Sequence, residues 1–277
     1  MKNPAAFPAR ALVAILATAL FDVSRAAESG AEKSIQQSAA KTESIDLGGG
    51  VTMEFVLIPA GSFTMGSAPE AAGDADEMPE HKVTLTQPFL LGKCEVTQEQ
   101  WIQVMGSNPS RFKGPKLPVD TVSWNDCQAF FAKLREKTAR TFSLPTEAQW
   151  EYASRAGSNA RWSFGDQPER LADYAWINQN SGNVTHPVGT RKPNAWGVHD
   201  LYGNLGEWCA DWYGNPYPKG AAVDPKGPAT GQSKVIRGGT WSDDPINARS
   251  AYRNANGPDG KHDGIGFRCV MLAKNAP

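Results

Sequence analysis

Short apolar runs broken by Gly, Pro and Asn set the pattern of this chain. Phe55-Val56-Leu57-Ile58 is a continuous apolar run stopped by Pro59, Ala60 and Gly61, which predicts a strand and then a turn. Phe63-Thr64-Met65 predicts the return strand of a hairpin. Ala68 to Glu80 is acidic, carries Gly and Pro, and predicts a surface loop. Three stretches change to helical spacing. Thr97 and Gln100 form a capping-box pattern ahead of Trp101, Ile102 and Met105. Ser123 caps the second helix, Asp126 suits its positive end, and Cys127, Phe130, Phe131 and Leu134 recur on one face. The third follows Pro145, with Thr146 and Gln149 as a second capping box and Gly157 as its stop. Beyond Ala160 the chain turns to loops and short strands, and no fixed-period repeat occurs. The pattern predicts an α+β domain with much irregular structure.

The N-terminus follows different rules. Lys2 and Arg10 precede an apolar run from Ala11 to Phe21, too short to span a bilayer. Ser24-Arg25-Ala26 offers a small-residue cleavage site, so residues 1–26 read as a signal peptide. No Cys sits near the cut to take a lipid. Residues 27–48 are rich in Ala, Ser, Glu, Lys and Gln with little periodicity, and read as a flexible leader. The domain proper then covers 49–274. After cleavage no membrane span remains, and the expected location is periplasmic or secreted.

Composition narrows the function classes. The chain has 28 basic and 29 acidic residues, a balance that leaves no footprint for nucleic acid or an anionic membrane. Its 40% hydrophobic residues suffice for a packed core. The 27 Gly and 20 Pro break long elements, so many loops and short strands are expected, and the 9 Trp supply rigid surfaces that can pin loops. The four cysteines, Cys94, Cys127, Cys209 and Cys269, match no zinc spacing. An oxidising compartment permits disulfides among them, and free buried thiols fit a domain of this size equally.

Common catalytic motifs are absent. No Gly-rich loop precedes a helix in phosphate-binding form, and no Gly-x-Ser-x-Gly elbow occurs. His81, His186, His199 and His262 are scattered, with no helical pair to chelate a metal. One segment stands out. From His199 to Trp208, Asp200 and Glu207 lie seven residues apart across a Gly-bearing turn. Calcium takes six to eight hard oxygens, and the carbonyls of a bent loop can add to the two carboxylates.

Eight blocks then appear in a fixed order. They begin with Phe55-Val56-Leu57-Ile58-Pro59-Ala60-Gly61-Ser62-Phe63-Thr64-Met65-Gly66, Glu95-Val96-Thr97 and Pro118-Val119-Asp120-Thr121-Val122-Ser123-Trp124. Leu144-Pro145-Thr146-Glu147-Ala148-Gln149-Trp150-Glu151-Tyr152-Ala153 and Pro193-Asn194-Ala195-Trp196-Gly197 follow. Gly203-Asn204-Leu205-Gly206-Glu207-Trp208, Arg237-Gly238-Gly239-Thr240-Trp241 and Gly266-Phe267-Arg268-Cys269 complete the set. From about Phe55 to Val270 the chain resembles the formylglycine-generating-enzyme (sulfatase-modifying factor) family. The resemblance implies an irregular, C-type-lectin-like α+β fold, loop-rich with few short helices and strands.

It also implies site residues, unevenly. A family calcium site maps onto Asp200 and Glu207 through side chains and onto Gly203 and Leu205 through carbonyls. A second family calcium site needs an acid between Asn178 and Lys192, where this chain has none. The family's catalytic cysteine pair, which binds copper(I), follows the Arg-Gly-Gly motif. Here Gly239 to Arg268 holds no cysteine, and Asp243 stands where the first would be. A hard carboxylate does not replace thiolate at copper(I), so copper and a catalytic residue set are not expected. Cys269 matches a structural family cysteine whose usual partner position is Ser154. The family groove for an extended peptide maps onto Thr240, Trp241, Asp243, Asp244 and Arg253. The implied role is a calcium-stabilised factor that binds a protein or peptide partner in the periplasm. The alternatives are an oxidoreductase of other chemistry, with iron held by Asp243, Asp244, His262 or Asp263, and residual oxidation of sulfatase cysteines.

Overall fold

Strand and helix follow one another closely in the first half of the chain and thin out in the second. A computed structural model describes residues 41–68 and 73–272. The chain runs through β1 (Thr42–Asp46), β2 (Thr52–Ile58), β3 (Gly61–Met65), β4 (His81–Leu85), β5 (Phe89–Gly92), α1 (Gln98–Met105) and α2 (Trp124–Thr138). It continues through β6 (Phe142–Ser143), α3 (Glu147–Arg155), β7 (Gly206–Trp212), β8 (Ala222–Val223), β9 (Lys234–Arg237), β10 (Arg253–Asn256), β11 (Ile265–Gly266) and β12 (Val270–Leu272). The expected signal peptide, and the expected leader up to residue 40, lie outside the described residues.

Three sheets result, with strand orders β1-β2-β5-β12-β6, β10-β9-β7-β11 and β3-β4-β8. This is the mixed, loop-rich α+β architecture that the sequence pattern and the resemblance imply. Two local expectations change. The leader does not run to residue 48, because β1 pairs antiparallel with β2, Ile45 opposite Met53. Its polar composition conceals an edge strand anchored by Ile45 and Leu47, both buried. Nor is β3 the hairpin partner of β2. Pro59 and Ala60 carry the chain into another sheet, where Gly61 to Met65 pair with Leu85 to His81. A Pro that cannot donate ends the first ladder and frees the next strand to pair elsewhere.

The three helices start where the capping patterns place them. Thr97, Ser123 and Thr146 each accept from the backbone three residues on, and Gln100, Asp126 and Gln149 each return a bond to the cap. Ala156 ends α3 in the left-handed conformation, one residue before the expected Gly157. The α1 and α2 faces meet over Trp101, which stacks on Phe130 at 5.2 Å, while Phe267 presents its edge to both. Ile102 instead faces outward, 43% exposed. A second apolar cluster packs α3 and β7 around Trp150, Ala153 and Cys209. Among the described residues no helix is long and apolar enough to cross a membrane.

Four buried Glu–Arg pairs hold the loops where strands are scarce. They join Glu77 to Arg249, Glu147 to Arg253, Glu151 to Arg237 and Glu207 to Arg268. Each joins residues more than 60 positions apart in sequence.

Candidate functional site

The turn after β9 begins with two glycines in positive φ, Gly238 at 100° and Gly239 at 72°. A Cβ at Gly239 would lie 2.5 Å from the Asn247 carbonyl, so only glycine lets the two strands of this loop close up. The chain then turns through Thr240 to Asp244. Asp243 accepts from the Thr240 amide at 2.8 Å, capping its own turn. Burial raises its carboxyl above the ordinary range. The Thr240 and Ser242 hydroxyls bond to each other at 2.9 Å. Asp244 accepts from the Asn178 side chain. Trp241 is buried: its indole donates to the Asp263 carbonyl at 3.2 Å, and its ring meets the edge of Phe112 at 5.6 Å.

The five groove residues therefore separate. Thr240, Trp241, Asp243 and Asp244 share one turn, with Ser242 and Asp244 on the surface. Arg253 does not join them. Its guanidinium grips Glu147 through Nε at 2.7 Å and Nη2 at 3.0 Å, and its Nη1 donates to the Asp76 and Gly214 carbonyls. Among the described residues, the carboxylates and imidazole considered for iron bring no three ligand atoms within 4.8 Å of one another. Asp243 and Asp244 are taken as above, and Asp263 pairs with Arg111 and His262. Among the described residues, one trio of metal-type ligand atoms falls within 4.8 Å, Asp74, Asp76 and Glu77, and Glu77 there is already paired with Arg249.

The loop before β7 is a different environment. Asp200, Gly203 and Asn204 all have positive φ, and a Cβ on Gly203 would meet the Trp176 carbonyl at 2.0 Å. This bend brings three almost fully buried carboxylates together: Glu95, Asp200 and Glu207. Asp200 Oδ2 accepts from the Gly189 amide at 2.7 Å. Glu95 accepts from the Leu205 amide and the Asn204 side chain at 2.8 and 2.7 Å. Glu207 Oε2 accepts from Trp150 Nε1 and Arg268 Nε, while Oε1 accepts from Arg268 Nη2. Burial, followed by the charge of the neighbouring carboxylates, pushes Glu95 well above the ordinary range, and burial raises Asp200 as well. The buried acids thus outnumber the one guanidinium, Arg268, that faces them. Their oxygens are hard donors of the type a divalent cation takes, but the three carboxylates do not each bring a ligand atom within 4.8 Å of the others, and both Glu207 oxygens are engaged by Arg268.

Glu95 and Arg268 belong to quoted motif blocks, yet sequence reasoning gave them no role. The available signal was a charge enclosed by apolar neighbours, Glu95 before Val96 and Arg268 between Phe267 and Cys269. Such a charge is most often half of a buried pair.

All four cysteines are free thiols. Cys127, Cys209 and Cys269 have no solvent exposure, and burial pushes each thiol upward in pKa. Cys94 is half-buried, and opens with His199 and Gly189 onto a cleft of about 480 Å³. Ser154, the position implied as a cysteine partner, donates instead to Tyr202 and Ser250.

A family model described as the sulfatase-modifying factor enzyme 1-like domain matches residues 49–273. The formylglycine-generating enzyme of Streptomyces coelicolor is 32% identical over 78% of this chain and 88% of its own length. The serine/threonine-protein kinase pkn1 of Chlamydia pneumoniae is 31% identical over 79% of this chain, which spans only 38% of the kinase. Among solved structures, Treponema denticola variable protein 1 superposes with a TM-score of 0.78 at 29% identity, covering 84% of this chain and 99% of that one. Motif order, fold and family match agree, and the chain belongs to the formylglycine-generating-enzyme, or sulfatase-modifying factor, family.

Proposed function

We propose that the protein is an exported, calcium-stabilised protein- or peptide-binding factor of this family, acting in regulation or maturation rather than as a copper oxidase. One observation carries the reading. Where copper(I) chemistry asks for a thiolate, Asp243 closes its own turn on the Thr240 amide, and the three fully buried thiols open to no solvent. What the turn offers outward is polar: Ser242 and Asp244. A partner segment would be held there by hydrogen bonds, with Trp241 and Phe112 as the rigid support beneath. The match to a region spanning 38% of a kinase supports a module that works beside other activities. Calcium would be held by Asp200 and Glu207 side chains and the Gly203 and Leu205 carbonyls, where it would offset the surplus buried charge and fix the loop that precedes β7.

The test is peptide oxidation. The chain from Ala27 is incubated with copper(I), oxygen and a sulfatase-type Cys peptide, beside an active family enzyme. Mass spectrometry is expected to find the peptide unchanged. Fluorescence anisotropy is expected to show peptide binding that Asp244→Arg weakens. An aldehyde at the Cys would overturn the reading and direct attention to Cys94.

A further inference from the structure

A second cavity lies away from both the Thr240 turn and the Asp200 loop. It measures about 350 Å³, within the size range of small-ligand pockets. Its inner wall is apolar, from Met65, Ala148, Trp212 and Tyr217. Its outer wall is the 214–228 loop, in which Pro216, Pro218, Pro225 and Pro228 face the space.

The loop is held in place at several points, so the cavity is formed in advance. Tyr217 donates its amide to the Met78 carbonyl and its hydroxyl to Glu147. β8 pairs with β4, and Asp224 accepts from both the amide and the hydroxyl of Thr86. Four fixed proline φ angles further limit what the loop can do. Such a chamber would not need to pay ordering entropy on binding.

The distribution of charge selects the occupant. Two carboxylates line the cavity, both buried and both engaged. Glu147 is gripped by Arg253, and Asp211 accepts from the Glu147 amide at 2.9 Å. His81 also lines it, with Nδ1 at 3.1 Å from the Pro79 carbonyl and its ring 5.1 Å from Tyr217. At the mouth stand Lys219 and Lys226, both exposed. Among the described residues neither forms a salt bridge. An apolar chamber with two unpaired ammonium groups at its entrance is complementary to a molecule with an apolar body and an anionic end. A cationic ligand would have to pass two like charges.

We propose that this chamber is a binding site for a small amphiphilic anion, an aromatic or short-chain acyl carboxylate, with its body against Trp212 and Tyr217 and its carboxylate at Lys219 and Lys226. The proposal is independent of partner binding at the Thr240 turn, since the two share no wall.

Phenylbutyrate and phenylbutylamine carry the same body and opposite charges, and each is titrated into the chain from Ala27 by calorimetry. The carboxylate is expected to bind with a Kd of about 1 mM or tighter, and the amine about tenfold or more weakly. Lys219→Glu with Lys226→Glu is expected to reverse that order. Ala221→Trp, at an exposed lining position, is expected to abolish both without changing the unfolding temperature. Equal affinities for the two probes, or carboxylate binding that Ala221→Trp leaves intact, would overturn the proposal. So would the absence of carboxylate binding at about 10 mM probe.

Discussion

Arg268 holds Glu207 in a two-pronged pair, Nε to Oε2 and Nη2 to Oε1, each at 2.6 Å, with neither side chain exposed to solvent. The same guanidinium donates to the carbonyls of Gly92, His199 and Asp200. It therefore ties the segment before β12 to the end of β5 and to the loop before β7. Removing one partner of such a pair leaves an uncompensated buried charge, which costs about 3–5 kcal/mol. Arg268→Leu is expected to lower the urea midpoint by that amount of stability. Lys192→Ala, which breaks the exposed, solvent-screened pair with Asp173, is expected to leave the midpoint nearly unchanged. Equal losses for the two variants would show that burial does not set the scale here.

Capping gives a smaller effect of known sign. Thr146 accepts from the Gln149 amide at 3.1 Å, and Gln149 returns a bond at 2.9 Å. The helix that follows carries Glu147 in its first turn and Glu151 one turn on, so its start also helps to position two of the buried ion pairs. Thr146→Ala is expected to cost about 1 kcal/mol, and Thr146→Ser much less. Thermal unfolding of the two variants, side by side, measures the difference. A loss as large for Ser as for Ala would remove the hydroxyl from the account.

How legible the fold was depended on whether its determinants were local. The three helix starts were readable because a capping box is a four-residue pattern whose partners lie next to each other. β1 was not, because Thr42-Glu43-Ser44-Ile45-Asp46 owes its strand to Met53 and Phe55 across the ladder. Pairing of β3 with β4 was hidden for the same reason. At the candidate site, Asp200 and Glu207 were visible as two acids across a glycine turn. Glu95 was not, since the bonds from Leu205 and Asn204 that bring it to that loop span more than 100 residues. Arg253 was placed with Thr240 by the family groove that the resemblance implies, whereas its charge is satisfied by Glu147, 106 residues away.

Asp211 predicts a pH dependence. Burial, then the nearby Glu147 carboxylate, pushes its pKa up to about 7, against an ordinary 3.8. The native chain thus holds a proton that the unfolded chain has already released between those two values. Stability from this group is fully present below about pH 4 and is lost as pH rises through about 7. The full difference is of order 4 kcal/mol. Asp211→Asn keeps an acceptor for the Glu147 amide and removes the titration. The gap in unfolding free energy between the variant and the parent chain is therefore expected to widen from pH 4 to pH 7.5 in favour of the variant. A gap that stays constant across that range would mean Asp211 does not titrate there.

Calcium provides the sharpest contrast between two acidic groups of the same molecule. Around Asp200, Glu95 and Glu207 add to the negative charge, and Arg268 offsets only part of it. At Asp74, Asp76 and Glu77, Glu77 is clasped by both Nη1 and Nη2 of Arg249, at 2.7 and 2.6 Å, and Asp76 accepts from Tyr213. A cation binding the native chain alone stabilises it by RT ln(1 + [L]/Kd), about 2.7 kcal/mol at a hundredfold excess over Kd. For a domain of this size that corresponds to a rise of roughly 5–10 °C in Tm. Adding calcium after chelator treatment is expected to produce such a rise in the parent chain and in Asp74→Asn, and none in Asp200→Asn. Magnesium, which requires smaller octahedral geometry and gives up its water reluctantly, is expected to do less at equal concentration. If the shift survived in Asp200→Asn and vanished in Asp74→Asn, the cation would belong to the other acidic group. The surplus charge before β7 would then be met by protons on Glu95 and Asp200.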